Sequence, residues 1–344
     1  MKVTRLSVQR GPRRALADSE PVTGPAPATT PSDDDAVLAI DVGGTLIRTA
    51  VVGGGHVSTH RQPTTTPSEP WSVDRLVQIV ADLHDAACAD GVNPTQLVVA
   101  VPGQVDEFHG AVQYSSTLPW HDVPVADALA AHLPVPVTVR HAARVAALAE
   151  ANLGAPDVVA GTLLYVSVGT AVVAAGAQSG LVVADHVGAG DLGRMRIRSG
   201  PGVGRTLDDL ASTAAIARRY ADATGTVVEP IDAEAVYRAV EADPAARTVW
   251  NEAVDALADG LEWSILLFAP RLVVIGGGLV NAGDDLIVPL RAGVARRLEG
   301  RATPDIRAAT FGDDAGWVGA ALTGWRKAGW SLESLRAALG PGRG

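Results

Sequence analysis

Residues Val37 to Val52 read Val-Leu-Ala-Ile-Asp-Val-Gly-Gly-Thr-Leu-Ile-Arg-Thr-Ala-Val-Val, and this stretch constrains the fold more than any other. The apolar run Val37 to Ile40 predicts a strand buried on both faces. Asp41, a Gly43-Gly44 turn and a second apolar run from Leu46 to Val52 complete a hairpin. Glycines at the turn leave backbone N–H groups open to close approach, which suits a phosphate. Thr45 adds a hydroxyl donor, and Asp41 a carboxylate able to hold a hydrated Mg²⁺. The plainer alternative is a tight hairpin in which Asp41 bonds only the turn backbone.

A chain of 344 residues has room for two lobes with separate cores. Hydrophobic residues make up 47 % of it, which fits a globular protein, and aromatics only 4 %, so the cores must be built from Ala, Val, Leu and Ile. A formal net charge of −10 counts against a nucleic-acid surface. Cys88 is the only cysteine, which excludes an intrachain disulfide and a cysteine-based zinc site and fits a reducing cytoplasm. From Val158 to Ala184 there is no charge, a length sufficient to span a membrane. Gly161, Gly169, Gly176 and Gly180 interrupt it among β-branched residues, so it predicts buried strands instead.

Residues 1–35 read as a disordered tail: Lys2, Arg5, Arg10, Arg13 and Arg14, then a Pro/Ala/Thr stretch, then Asp33-Asp34-Asp35. It has no apolar core for a secretory signal and no room for a helix-turn-helix. Beyond the hairpin, a polar third strand is expected near His56 to Arg61, a helix over Asp74 to Asp90 and a strand over Leu97 to Val101. A helix over Val125 to Leu133, a strand over Val135 to Val139 and a helix over Ala142 to Leu153 follow. Then the opening layout recurs: strand Leu163 to Val168, turn Gly169-Thr170, strand Val172 to Gln178, turn Ser179-Gly180 and a short strand from Leu181. Thr206 and Asp209 form a capping box, and helices are expected over Ala214 to Ala223, Ala233 to Val240 and Ala245 to Phe268. Leu272 to Ile275 runs as a strand into Gly276-Gly277-Gly278, and a helix spans Val318 to Trp325. Gly188, Gly190 and Gly193 fit a dinucleotide fingerprint, but Arg194 to Arg198 alternates with period two and predicts a strand where a helix is required.

Asp41-x-Gly43-Gly44-Thr45 between apolar strands resembles the first phosphate loop of the actin, heat-shock ATPase and sugar-kinase superfamily. Val101 to Asp106, Gly110, Leu118-Pro119-Trp120, Gly276 to Gly278 and Phe311 to Gly316 are similar, in order, to the ROK family of sugar kinases and kinase-derived repressors. The resemblance spans roughly residues 36–327 and implies an α/β, two-lobed actin-like (ribonuclease H-like) fold with a cleft between the lobes. The expected division is a tail over 1–35, a first lobe over 36–140, a second over 141–327 whose last helix can return to the first, and a short helix and tail over 328–344. It further implies a nucleotide site of Asp41, Gly43, Gly44, Thr45, Gly169, Thr170, Gly276, Gly277 and Gly278, with Mg-ATP as cofactor if the cleft still functions.

The chemistry implied by the family is incomplete here. Its base is the Asp of an Asn-Asp-Ala-Asn run, and that position holds Ala142, with His141 and Arg144 at the two Asn positions. The Asn before Leu-Pro is Thr117, the Glu-x-Gly-His pair is Asp191 and Arg194, and the zinc cysteines are absent, leaving no expected metal ligand set. The second phosphate loop carries Ala171 and Val173 where the kinases have glycine, which crowds a phosphate. No catalytic residue is therefore expected. His141 is the remaining candidate base, against the alternative of a histidine bonding local backbone at a helix entrance.

The expected sugar pocket is Thr117, His141, Arg144, Asp191 and Arg194. Its arginines favour an anionic ligand such as a sugar phosphate, unless they point to solvent or pair with Asp185 and Glu150. The expectation is a cytoplasmic, non-catalytic regulatory or ligand-binding protein of sugar metabolism. Its partner is a small molecule such as a sugar or sugar phosphate, with neither membrane nor nucleic acid, and a homo-oligomer stays open. The alternatives are an ATP-dependent, glucokinase-like sugar kinase and a transcriptional repressor lacking its helix-turn-helix in this chain.

Overall fold

The computed structural model describes residues 29–340 except 54, 56, 65–70, 156–160, 184–185, 199 and 226–231. The expected tail lies mostly outside the described residues. Where it is described the expectation is corrected: Thr29 bridges to Trp330, and the first strand already begins at Asp35.

Strands β1 (Asp35–Val42), β2 (Leu46–Gly53) and β3 (Val57–Pro63) form an antiparallel meander. Helix α1 (Val73–Ala89), capped by Ser72, then leads to β4 (Asn93–Val101), which pairs parallel to β1. A small sheet follows, β5 (Gln104–Asp106), β6 (Ala111–Tyr114) and β7 (His121–Val123), then α2 (Val125–Ala130) and β8 (Val137–His141). The first large sheet has the order β3-β2-β1-β4-β8.

After α3 (Ala142–Ala149) the pattern repeats. Strands β9 (Thr162–Val168), β10 (Val172–Gln178) and β11 (Leu181–Val183) make a second meander. Helices α4 (Leu207–Ala211), α5 (Thr213–Thr224), α6 (Ala233–Ala239) and α7 (Pro244–Phe268) precede β12 (Leu272–Gly276). Then come α8 (Asp284–Arg297), β13 (Asp305–Ala308), α9 (Ala315–Lys327) and α10 (Leu332–Leu339). The second sheet reads β11-β10-β9-β12-β13, the same order as the first.

Three apolar cores follow from which face of each sheet is covered. One lies between the first sheet and α1 and α2, and another between the second sheet and α4 to α8. The central one takes Val37, Ala39 and Val98 from the first sheet and Leu163, Tyr165 and Val274 from the second, with α3 and α9 between them. Close approach of these two helices needs small residues. A Cβ on Gly319 of α9 would overlap the Val145 carbonyl of α3. Trp317 and Trp325 fill the space that remains and are fully buried.

Several local expectations are corrected. Arg194 to Arg198 is not a strand: a 3₁₀ turn covers Leu192–Arg194, and only Arg196 pairs, in an isolated bridge to Thr206. The alternation there arises because Ile197 is buried between exposed arginines, without a neighbouring strand to pair with. Helix α2 ends at Ala130, short of Leu133, and α3 gives way at Glu150 to a π turn, Glu150–Gly154. The buried Glu150 carboxylate accepts from the N–H groups of Thr310 and Phe311. No helix among the described residues is long and apolar enough to cross a membrane.

Candidate functional site

Both glycine hairpins point into one cleft of about 500 Å³. Its walls include Asp41 to Leu46, Thr117, His141 and Ala142 on one side, and Ser167, Gly169 to Ala171, Val173, Gly277 and Gly278 on the other. The two turns approach each other closely. A Cβ on Gly44 would lie 2.5 Å from Thr117 Cγ2 and 3.0 Å from Thr170 Oγ1.

Asp41 continues the inward face of β1 set by Val37 and Ala39, and the register of the hairpin places Arg48 directly opposite. Arg48 Nη1 lies 3.8 Å from Asp41 Oδ2, and Nη2 lies 3.1 Å from Asp313 Oδ2. Arg61, opposite Arg48 on β3, pairs with Asp314 at 2.6 Å. Asp41 is buried against the first turn of α9, where a Cβ on Gly316 would overlap its carboxylate. That burial raises its pKa to about 6, with Arg48 opposing and Asp313 and Asp314 reinforcing the shift.

The second hairpin is held differently. The Gly169 carbonyl accepts from Thr213 N–H at 2.8 Å, and Val172 N–H donates to Asp208 Oδ1 at 2.7 Å. Within the run Gly188 to Gly193, Gly190 lies against β10, where a Cβ would overlap the Ala174 carbonyl, and Gly193 against α4, where one would overlap the Asp208 carboxylate. Packing thus accounts for Gly190 and Gly193, two of the three glycines that resembled a dinucleotide fingerprint.

At the far end of the first sheet, His141 ends β8 and Ala142 begins α3. His141 is 4 % exposed and its Nδ1 has no hydrogen-bond partner. Burial, aided by Arg144, lowers its pKa to about 4, so the imidazole is neutral at physiological pH. Its backbone N–H donates to Glu107 Oε1 at 2.9 Å. Glu107 also lies 3.5 Å from Arg140 Nη1 and 3.4 Å from Arg144 Nη1.

The structure divides the expected site residues. Asp41, Gly43, Gly44, Thr45, Gly169, Thr170, Gly277 and Gly278 line the cleft together with Thr117 and His141. Gly276 does not line it; it sits against the Tyr165 hydroxyl, where any Cβ would overlap the ring. Arg144, Asp191 and Arg194 are also outside the lining. Arg144 is buried and donates to the His186 carbonyl at 2.7 Å, pairing with Glu107 instead of Glu150, while Asp185 lies outside the described residues. Asp191 and Arg194 are exposed. The expected anion preference therefore loses both arginines that carried it. Sequence reading missed Arg48, Glu107 and Tyr165. Arg48 had a partial signal: a turn at Gly43-Gly44 sets Leu46 opposite Asp41 and Arg48 on the same face one pair away, whereas the observed turn, closed by Gly43 N–H to the Leu46 carbonyl, sets Arg48 itself opposite. Glu107 had none, its partners lying more than thirty residues along the chain.

The ROK family model matches residues 37–325. A glucokinase of Thermotoga maritima is 29% identical over 308 residues, covering 83% of this chain and 96% of that protein. A glucokinase of Streptomyces coelicolor is 28% identical over 317 residues, with coverage of 83% and 96%. The crystal structure of a ROK family glucokinase from Streptomyces griseus in complex with glucose and AMPPNP superposes with a TM-score of 0.72 at 24% identity, covering 85% of this chain and 99% of that one. A ROK family transcriptional regulator, a homolog of the E. coli MLC protein, superposes at 0.71 with 21% identity, covering 89% of this chain and 82% of that one. These likenesses bear out the two-lobed actin-like fold.

Proposed function

The chain belongs to the ROK family, and we propose that it is a member whose cleft binds a small ligand without transferring a phosphoryl group to it. The observation that carries this reading is Ala142. The resemblance puts the catalytic carboxylate at this position, and its methyl group lines the cleft wall at the start of α3. A base to take the proton of a sugar hydroxyl contributes about 10²–10⁴-fold in rate. The neighbouring imidazole of His141 is a poor substitute, because a conjugate acid with a pKa of about 4 holds a proton weakly at neutral pH. Among the described residues, the carboxylates lining the cleft are Asp41, Asp232, Glu234 and Asp313, none of them on α3.

Mg-ATP, the cofactor that the family implies, fits only in part. Space for a phosphate exists in front of Gly169 and Gly278, where an added Cβ meets nothing within 4 Å. Ala171 and Val173 narrow that space from the second hairpin. The metal does not fit, since Arg48 already lies beside the Asp41 and Asp313 carboxylates. A regulatory role, in which ligand binding changes the relation of the two lobes, is the use such a cleft retains.

One observation favours a second reading, an ATP-dependent sugar kinase: the relatives of Thermotoga maritima and Streptomyces coelicolor are glucokinases matched over 83% of this chain. Incubation of the purified protein with Mg-ATP and hexoses, N-acetylhexosamines or N-acetylmannosamine separates the two. No phosphoryl transfer above background is expected. Turnover near the order of one per second on any of these sugars, within the ordinary range for enzymes, would establish the kinase instead.

A further inference from the structure

We propose that Arg48 is a built-in replacement for the divalent metal ion of this cleft, so that whatever binds here does so without a metal. The inference rests on the ligand-binding reading of the same cleft and specifies it.

The three strands of the first meander set the arrangement. Asp41, Arg48 and Arg61 occupy one row across β1, β2 and β3, because each is the register partner of the next. Opposite this row stands the turn Gly312–Asp314 that leads into α9. Arg61 takes Asp314, and Arg48 lies between Asp313 and Asp41. Asp41 and Asp313, both lining the cleft, are thus joined by one guanidinium. Arg48 is the only lysine or arginine among the described residues that line it.

A Mg²⁺ ion demands near-octahedral oxygen ligands at about 2.0–2.1 Å and keeps several of its waters. Beside Asp41 these places are already taken. Gly316 closes one side of the carboxylate, and the Arg48 guanidinium stands within ion-pair distance of it where the ion and its waters would have to lie. A dication would have to displace Arg48 or share its carboxylates at close range, where like charges repel. Arg48 itself cannot leave cheaply. Its side chain is only 13% exposed and its guanidinium lies between two carboxylates, so burial and charge together hold it. Removing the guanidinium would leave Asp41 and Asp313 uncompensated beside Asp314, a group of carboxylates that calls for a cation.

Mn²⁺ alone serves as the probe, with bound and free ion distinguished by electron paramagnetic resonance. The wild-type chain is expected to leave Mn²⁺ free at millimolar concentration. Arg48→Ala should bind it at least tenfold more tightly, and Arg48→Met, which keeps the aliphatic packing, should do the same if the alanine variant folds poorly. Titration of ATP into the wild type should show no tightening on adding Mg²⁺. Mn²⁺ bound by the wild type, a tenfold or greater tightening of ATP by Mg²⁺, or no gain in either folded variant would overturn the assignment. Sugar phosphorylation by a wild type that leaves Mn²⁺ free would defeat the non-catalytic reading and leave Arg48 as assigned. Mn²⁺ binding without phosphorylation would do the reverse.

Discussion

The hairpins β1–β2 and β9–β10 occupy matching places in two sheets of identical strand order, and both turn into the same cleft. One step back from the last pair of each ladder, the first hairpin sets Arg48 against Asp41, and the second sets Val173 against Ser167. The first is braced by charge: its buried carboxylate depends on Arg48, and Arg48 on Asp313 from the start of α9. The second is braced chiefly through its own backbone, by Thr213 N–H to the Gly169 carbonyl, Ala174 N–H to the Gly190 carbonyl at 2.7 Å and Val172 N–H to the Asp208 carboxylate. Apolar runs joined by glycine turns suffice to specify either meander. What each can do at the cleft is decided by the one or two residues at its inner end.

Glycine substitutions give the largest expected contrast. Gly190→Ala would drive a Cβ into the Ala174 carbonyl at a φ of +99, so a loss of about 3 kcal/mol or more is expected. Gly316→Ala meets the Asp41 side chain, which can shift, and should cost less, about 1–3 kcal/mol. Gly169→Ala meets nothing within 4 Å and should stay within about 0.5 kcal/mol of wild type. Urea denaturation of the three variants orders them, and equal stabilities would show that the second hairpin is not held by its backbone.

Charge is next. The folded pKa of Asp41, about 6, exceeds its ordinary value of 3.8. Between those values the folded state keeps a proton that the unfolded chain has released, so the contribution of Asp41 to stability falls as pH rises from 4 to 6 and stays low above that. Relative to wild type, Asp41→Asn should therefore gain up to about 3 kcal/mol on going from pH 4 to pH 7. The matching change on the second hairpin, Ser167→Ala, should show no such growth, having no carboxyl to titrate. A difference between Asp41→Asn and wild type that is constant with pH would mean that the buried carboxylate is not the distinguishing feature.

The smallest expected effect comes from making the second hairpin more permissive. Ala171→Gly with Val173→Gly removes two side chains from the cleft wall. ATP affinity measured by calorimetry should rise about tenfold, or about 1.4 kcal/mol, while each added glycine costs the strand region about 0.5–1 kcal/mol of stability. Unchanged affinity in the folded double variant would show that crowding is not what limits nucleotide binding.

Most elements were legible because their signals are local. Apolar runs of strand length, glycine turns and caps such as Thr206 with Asp209 act within a few residues, and the capping box forms as expected. The repeated meander was legible for the same reason. Helix α8 and strand β13 escaped, one carrying Pro289 inside the helix and the other only four residues long. The false strand at Arg194 to Arg198 shows the limit of alternation, which reports one buried residue as readily as a paired strand. By itself the sequence determined that two glycine hairpins exist and that a helix opening on Ala142 follows strand β8. Only the tertiary structure decided which charges meet. Arg144 turned from the cleft to Glu107 and the His186 carbonyl, while Arg48 entered it between Asp41 and Asp313. The pairing of a long cationic side chain depends on which carboxylates the fold brings within a few ångströms, and three of these four partners come from distant parts of the chain.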